Sequence, residues 1–174
     1  MLRFVLMICA LLAGAAAQAG ALRGEFQSID GGGLSLDQWQ GQPVLVVNTA
    51  SRCGYTYQYE GMQALYDAYR GRGLVVLAVP SDDFRQELGS AEEVKEFCEL
   101  TFGLDMPMTD ITPVRGAKAH PFYQDVKAAT GFVPGWNFNK VLVGPDGDVV
   151  ATWGSNTRPE SQEIRARIEL LLTD

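Results

Sequence analysis

Two different spacings of hydrophobic residues alternate along the chain, and together they predict an α/β fold. Val44–Val47 and Leu74–Val79 are continuous apolar runs rich in β-branched residues, typical of strands buried on both faces. Between these runs the apolar residues recur at helical spacing, and Gly71 and Gly73 end the predicted helix. The apolar positions of this helix are Tyr59, Met62, Leu65, Tyr66 and Tyr69.

Turn and capping signals predict the remaining elements. They are a hairpin over 24–36 that turns at Asp30–Gly33, a helix from the capping box at Ser90 to Gly103, a short helix from Pro121, a hairpin of Val141–Val143 and Val149–Trp153 around Pro145–Gly147, and a last helix opened by Pro159. The order predicts one α/β domain close to a thioredoxin-like fold, with a central mixed sheet, an N-terminal β-hairpin and flanking helices.

The first twenty residues have the layout of a secretory signal peptide. Arg3 is followed by an apolar run, and Ala17-Gln18-Ala19 is a pattern of small residues suited to cleavage. An uncleaved membrane anchor is the alternative, but the apolar run is short for a bilayer. We therefore expect residues 1–19 to be removed, a single domain over 20–174, and export to the periplasm or the medium.

Composition excludes several classes of function. The net charge is −7 and Lys and Arg occur singly, so no basic patch is available for nucleic acid. The chain has one His and no Cys-x-x-Cys pair or carboxylate cluster at ligand spacing, so we expect neither a metal nor a bound cofactor. Cleavage would remove Cys9 and leave Cys53 and Cys98, which can form one disulfide in an oxidising compartment.

Cys53 is the first candidate for chemistry. It lies between the strand at Val44–Val47 and the next helix, where reactive groups collect in α/β sheets. The N–H groups at a helix N-terminus stabilise a thiolate, which is the nucleophilic form of cysteine, and Arg52 is a nearby cation. The alternative is an inert buried cysteine.

Trp136-Asn137 is the second candidate, in a loop that precedes the strand at Val141. An indole N–H and an amide group donate hydrogen bonds, and such donors stabilise a thiolate or a developing alkoxide. The alternative is an aromatic cap on the core beside a turn asparagine. Lys140, three residues later, is expected to be solvated or to face a partner.

Several segments resemble the glutathione peroxidase family, in the right order over roughly residues 24–172. They are Val47–Gly54 with Thr56, Gln58 and Tyr59, then Leu74–Phe84, Glu93–Cys98, Ala119–Pro121 and Trp136–Lys140. The resemblance implies a thioredoxin fold and the reduction of hydroperoxides by thiols. The family's catalytic set is a Cys or selenocysteine, a Gln, a Trp and an Asn, and Cys53, Trp136 and Asn137 match it.

The Gln of that set is missing, because its position falls on Asp83. An ionised carboxylate accepts hydrogen bonds and cannot donate one, and its charge opposes a nearby thiolate. Three explanations stay open: Asp83 turns away and its backbone N–H serves, Asp83 is protonated, or a neighbour such as Gln86 replaces the missing amide.

Cys98 matches the resolving cysteine of thioredoxin-dependent members of the family, although a structural role in the core is the alternative. The resemblance implies that Cys98 condenses with oxidised Cys53, and that a thioredoxin-like protein or glutathione reduces the disulfide. The run from Ala119 to Trp136 is too short for the family's tetramer-building insertion, so we expect a monomer.

The sequence thus predicts a thiol peroxidase that reduces hydrogen peroxide and organic hydroperoxides through a Cys53 sulfenic acid. Two other classes stay open. One is a redox sensor that passes its disulfide to a client protein. The other is a catalytically weak binding module with a thioredoxin fold, which the departure at Asp83 favours.

Overall fold

The fold is built on a four-stranded sheet with helices on both faces. A computed structural model describes residues 25–172 of the 174-residue chain. The strands are β1 (Glu25–Gln27), β2 (Gly33–Ser35), β3 (Val44–Thr49), β4 (Val75–Pro80), β5 (Lys140–Val143) and β6 (Val149–Trp153). The helices are α1 (Gln58–Tyr69), α2 (Ala91–Phe102), α3 (Pro121–Thr130) and α4 (Gln162–Glu169), with short 3-10 turns at Leu36–Trp39 and Arg70–Arg72.

The sheet is mixed, as the element order predicts. Its strand order is β4-β3-β5-β6, and β1 and β2 form a separate hairpin. β3 pairs in parallel with β4 and antiparallel with β5, with Val47 opposite Lys140. The carboxyl end of β3 therefore lies beside the chain that enters β5, which brings the segment after β3 next to the segment before β5.

Strand alternation divides the core into two layers, because successive side chains point to opposite faces. One layer includes Leu45 and Val47 of β3, packed with α1, α2 and α4. The other includes Val44 and Val46, packed with α3 and the hairpin. All six residues of β3 and of β4 are buried, which explains why both strands read as continuous apolar runs.

The last helix starts later than the sequence predicts. α4 begins at Gln162, because the Ser161 side chain accepts a hydrogen bond from the backbone N–H of Ile164 and caps the helix there. Pro159 lies in the preceding turn, where the Ser161 N–H bonds to the carbonyl of Arg158. A serine cap thus prevails over the preference of proline for a first helical position.

A short segment also extends the sheet beyond β4. The Ala78 N–H donates to the carbonyl of Pro107, and the Thr109 N–H donates to the carbonyl of Ala78. The sequence predicts no strand there, because the segment pairs with β4 through only these two hydrogen bonds, next to Pro107. It is too short to show an alternating pattern of apolar residues.

The predicted signal peptide, residues 1–19, lies outside the described residues. No helix within residues 25–172 is both long enough and apolar enough to span a bilayer. Within the same range, no three potential metal-ligating side chains come together.

Candidate active site

Cys53 lies four residues beyond the end of β3, in a series of turns that leads into α1. The helix itself begins at Gln58, so Cys53 lies in the turns before α1 and not at the helix N-terminus, where the sequence predicts it. One backbone donor still reaches the sulfur, because the Tyr55 N–H lies 3.5 Å from Cys53 Sγ. The Thr56 N–H turns back to the Cys53 carbonyl at 3.1 Å. Cys53 is 4% exposed and therefore lies at the edge of the core.

The segment between β4 and α2 holds the cysteine loop in place. The Arg52 N–H donates to the carbonyl of Gln86 at 2.9 Å. The Ser51 N–H donates to Glu87 Oε1 at 2.9 Å, and the same oxygen accepts from the Leu88 N–H at 2.9 Å. Two consecutive residues of one loop thus fix two consecutive residues immediately before Cys53.

Two asparagines hold the Trp136-Asn137 loop against the end of β3. The Trp136 carbonyl accepts from Asn48 Nδ2 at 2.9 Å and from Asn139 Nδ2 at 2.7 Å. The Asn139 N–H donates to Asn48 Oδ1, and the Phe138 N–H donates to the Asn48 carbonyl. Phe138 has a φ of +59°, an unfavourable conformation for a bulky residue, which this network and its burial sustain.

Asn137 and Trp136 differ in their exposure and in their contacts. Asn137 is fully buried, and its Nδ2 donates to Gln86 Oε1 at 3.1 Å, while its own Oδ1 has no hydrogen-bond partner. Trp136 is 40% exposed and its ring packs against Phe84 at a centroid distance of 5.2 Å. Since the Gln86 carbonyl binds the Arg52 N–H, Gln86 contacts both the cysteine loop and Asn137.

The Asp83 side chain forms its hydrogen bonds with the loop before α3 and not with Asn137 or the cysteine loop. Its Oδ2 accepts from the backbone N–H groups of Val114 at 2.6 Å and Arg115 at 3.0 Å. The carboxylate is thus engaged with the loop that precedes α3, so the side chain turns away as in the first of the three explanations. The second half of that explanation is not met, because the Asp83 N–H donates to Ser81 Oγ at 3.4 Å. The amide beside Asn137 belongs to Gln86, three residues further along the chain.

Cys98 is buried on α2, on the same face as Val94, as its spacing predicts. Burial, with a smaller contribution from the negative charges of Glu87 and Glu99, raises the pKa of the Cys98 thiol to about 12. Cys53 and Cys98 are both free thiols and contribute to the same core layer. Cys98 lies in the second half of α2, which is capped by Ser90 at its start and ends at Gly103.

Lys140 is fully buried, and the expectation of a solvated side chain is therefore wrong. Its Nζ donates to Gln58 Oε1 and to the Thr157 carbonyl, each at 2.5 Å. Burial lowers the pKa of Lys140 to about 7. Lys140 thus ties the first residue of α1 to the loop before α4. A lysine in an otherwise apolar strand, Lys140–Val143, is the sequence signal that could have indicated burial.

The fold and site define a thioredoxin-like protein with a cysteine after the central strand. A chain from Chlorobium tepidum described as a thiol:disulfide interchange protein of the thioredoxin family has a TM-score of 0.64 and 15% identity, over 88% of this chain and 95% of its own length. That likeness establishes the fold alone.

Closer similarities identify the family. The model of the glutathione peroxidase family matches residues 23–127. "Hydroperoxy fatty acid reductase gpx1" of Synechocystis sp. is 41% identical over 83% of this chain and 91% of its own. "Glutathione peroxidase-like peroxiredoxin 2" of Saccharomyces cerevisiae is 39% identical over 78% of this chain and 89% of its own. T. cruzi GPX1 superposes with a TM-score of 0.65 at 32% identity, over 84% of this chain and 92% of its own. The chain belongs to the glutathione peroxidase family and is a peroxidase.

Proposed function

We propose that this protein is a two-cysteine thiol peroxidase in which Cys53 attacks the peroxide and Cys98 resolves the product. The observation that carries the proposal is the contact of Gln86 with both the Arg52 N–H and Asn137. The backbone of Gln86 is thus bonded to the residue before Cys53, while the side-chain amide of Gln86 is bonded to that of Asn137. The inert-cysteine alternative gives no reason for amides and a sulfur-directed N–H to converge there.

In the first step the Cys53 thiolate attacks one oxygen of the hydroperoxide. The S–O bond forms and the O–O bond breaks, giving a sulfenic acid and a hydroxide or alkoxide that leaves as water or alcohol after taking up a proton. The Tyr55 N–H stabilises the sulfur. The Trp136 indole and the amides donate to the oxygen on which charge develops.

Within this scheme Gln86 supplies the amide that the family provides from the position of Asp83. Gln86 Oε1 accepts from Asn137 Nδ2, so the remaining donor group of Gln86 is the NH₂. The Asp83 carboxylate is engaged with two backbone N–H groups and serves to anchor the loop at Val114. A carboxylate held there has no donor to offer a peroxide.

In the second step Cys98 attacks the sulfenic acid of Cys53, which releases water and leaves a disulfide. Cys98 is buried, so part of α2 unwinds to bring the two sulfurs together. A thioredoxin-like protein, or glutathione, then reduces the disulfide by thiol exchange. No prosthetic group takes part, and the protein acts as a monomer.

The substrates we propose are hydrogen peroxide and organic hydroperoxides. The name of the Synechocystis relative, a hydroperoxy fatty acid reductase, supports activity on a hydroperoxide with an organic substituent. The half-exposed Trp136 and its neighbour Phe84 offer an apolar surface for such a substituent.

We also propose that the protein works outside the cytoplasm after cleavage behind Ala19. The small-residue pattern Ala17-Gln18-Ala19 supports this. Mass spectrometry of the exported protein should give a chain that begins at Gly20, and a soluble chain that still begins at Met1 would contradict it.

The test of the function is peroxide consumption at steady state with thioredoxin and with glutathione in parallel, on the same reduced protein. We expect sustained turnover with thioredoxin and slower turnover with glutathione, because an internal disulfide suits a dithiol reductant. Turnover with neither reductant, together with trapping of Cys53 by one non-thioredoxin client, would favour a redox sensor instead.

A further inference from the structure

A cluster of buried polar groups lies beneath the cysteine loop, between β3, α1 and α2. Within residues 25–172, buried side-chain atoms without a hydrogen-bond partner include Thr49 Oγ1, Ser51 Oγ, Tyr59 OH and Glu87 Oε2. The Tyr59 hydroxyl lies beside Thr49 and Cys98 without completing a bond to either. Buried polar atoms are rarely left without partners, so their concentration at one place indicates a use.

Glu87 is the only carboxylate among these four residues, and one of its two oxygens has no hydrogen-bond partner. Its Oε1 accepts from the backbone N–H groups of Ser51 and Leu88, while Oε2 is buried without a partner. Glu87 is 5% exposed, and burial raises the pKa of its carboxyl group. A carboxylate with a free, buried oxygen is a proton acceptor of increased basicity.

The charge of Glu87 also reaches Cys98. Glu87 raises the pKa of the Cys98 thiol and of the Tyr59 hydroxyl through its negative charge. Other groups acting on the same cluster are Asp82, whose carboxylate accepts from the Glu87 N–H, and Glu99 on α2.

The thiol of Cys98 faces a specific difficulty as the attacking group. In its buried position on α2 this thiol has a pKa of about 12 and therefore enters the step protonated, although the thiolate is the nucleophile. Its proton must therefore be accepted by another group as the sulfur attacks. Glu87 is bonded to Ser51, two residues before Cys53, so a Cys98 thiol that moves to Cys53 approaches the end of the cluster where Glu87 lies.

We propose that Glu87 is the general base for disulfide formation, accepting the proton of the Cys98 thiol while its sulfur attacks Cys53. This inference rests on the proposed two-cysteine cycle. The S–S bond forms as the S–O bond of the Cys53 sulfenic acid breaks. The departing hydroxide takes the proton back from Glu87 and leaves as water. Cys98 is oxidised, the Cys53 sulfur is reduced from sulfenic acid to disulfide, and Glu87 ends the step ionised.

The test compares Glu87→Gln with the unaltered protein in two separate steps. Glutamine has the same shape and keeps an oxygen to accept from the Ser51 and Leu88 N–H groups, but it cannot accept a proton. After one equivalent of hydrogen peroxide, rapid quenching and mass spectrometry follow the Cys53 sulfenic acid and then the disulfide. We expect sulfenic acid to form at a similar rate and disulfide formation to slow by roughly 100-fold.

The pH profile distinguishes a base from a mere anchor. In the unaltered protein the rate of disulfide formation should rise with pH as Glu87 ionises, above the usual value of about 4.3 for glutamate. Glu87→Gln should lose this rise. Glu96→Gln removes an exposed carboxylate from α2, the helix that carries Cys98, and should match the unaltered protein in both steps.

The outcomes separate the inference from the function on which it rests. Disulfide formation at the normal rate in Glu87→Gln, an equal slowing of both steps, or a flat pH profile in the unaltered protein would each overturn the role of Glu87. Absence of any Cys53 sulfenic acid in the unaltered protein would instead overturn the proposed cycle itself.

Discussion

Replacing Gln86 with glutamate tests which residue supplies the missing amide. Gln86 Oε1 accepts from Asn137 Nδ2 at 3.1 Å, and a glutamate oxygen can accept the same bond. The variant therefore keeps Asn137 in place, while the NH₂ group of Gln86 is lost. The added charge also opposes the Cys53 thiolate. Both effects slow the attack on peroxide and leave the fold intact.

The expected loss of rate in Gln86→Glu depends on the hydrogen-bond donors that remain. Removal of one preorganised donor costs about 10²–10³ in rate when it faces the developing charge. The Tyr55 N–H still lies 3.5 Å from Cys53 Sγ, and Trp136 and Asn137 stay in place. We therefore expect the low end of that range, about 100-fold, which corresponds to about 2.7 kcal/mol of transition-state free energy.

The assay is single-turnover consumption of hydrogen peroxide by reduced protein in a stopped-flow instrument, which needs no external reductant. Asp83→Asn is the matched variant at the family's position for the Gln. Because the Asp83 side chain bonds to the backbone of Val114 and Arg115, we expect Asp83→Asn to change the rate of peroxide consumption by less than about threefold. The reasoning is refuted if Gln86→Glu reacts at the normal rate, or if Asp83→Asn alters the rate as strongly.

Two further predictions follow from buried groups. Cys98→Ser should consume one equivalent of peroxide at the normal rate and then stall with thioredoxin, because no internal disulfide forms; normal turnover would make Cys98 structural. Lys140 has a pKa of about 7 in the folded protein and about 10.4 when unfolded, so the unfolded chain binds more protons between these values and stability rises with pH across that window. Lys140→Met lacks this contribution. Between pH 7 and pH 9, the free energy of unfolding measured with urea should therefore rise by up to about 2 kcal/mol more in the unaltered protein than in the variant. An equal change with pH in both proteins would contradict the lowered pKa.

The parts of the fold with a simple local cause could be predicted from the sequence. β3 and β4 are buried on both faces and therefore show as apolar runs. The helix after Ser90 begins where the serine side chain accepts from the Glu93 N–H, as its capping box predicts. Where two local signals compete, as Pro159 and Ser161 do before α4, the pattern does not show which one prevails.

The partners of the buried charged groups could not be predicted, because they lie far away in the chain. Lys140 and Gln58 are 82 residues apart, and only the folded sheet brings them together. Glu87 likewise reads as one more acidic residue in a polar loop until its bond to the Ser51 N–H is seen. The same limit applies to Asp83 and Gln86, since the positions of their side chains depend on bonds to the distant residues Val114 and Asn137.

The most direct test of the central claim is the rate at which Cys53 itself reacts with hydrogen peroxide. Reduced protein and the Cys53→Ser variant are mixed with peroxide, and a sulfenic-acid reagent followed by peptide mass spectrometry identifies the oxidised residue. The account predicts a rate constant orders of magnitude above that of free cysteine, with the label on Cys53 and no fast reaction in Cys53→Ser. A rate equal to that of free cysteine, or a fast reaction that persists in Cys53→Ser, would contradict it.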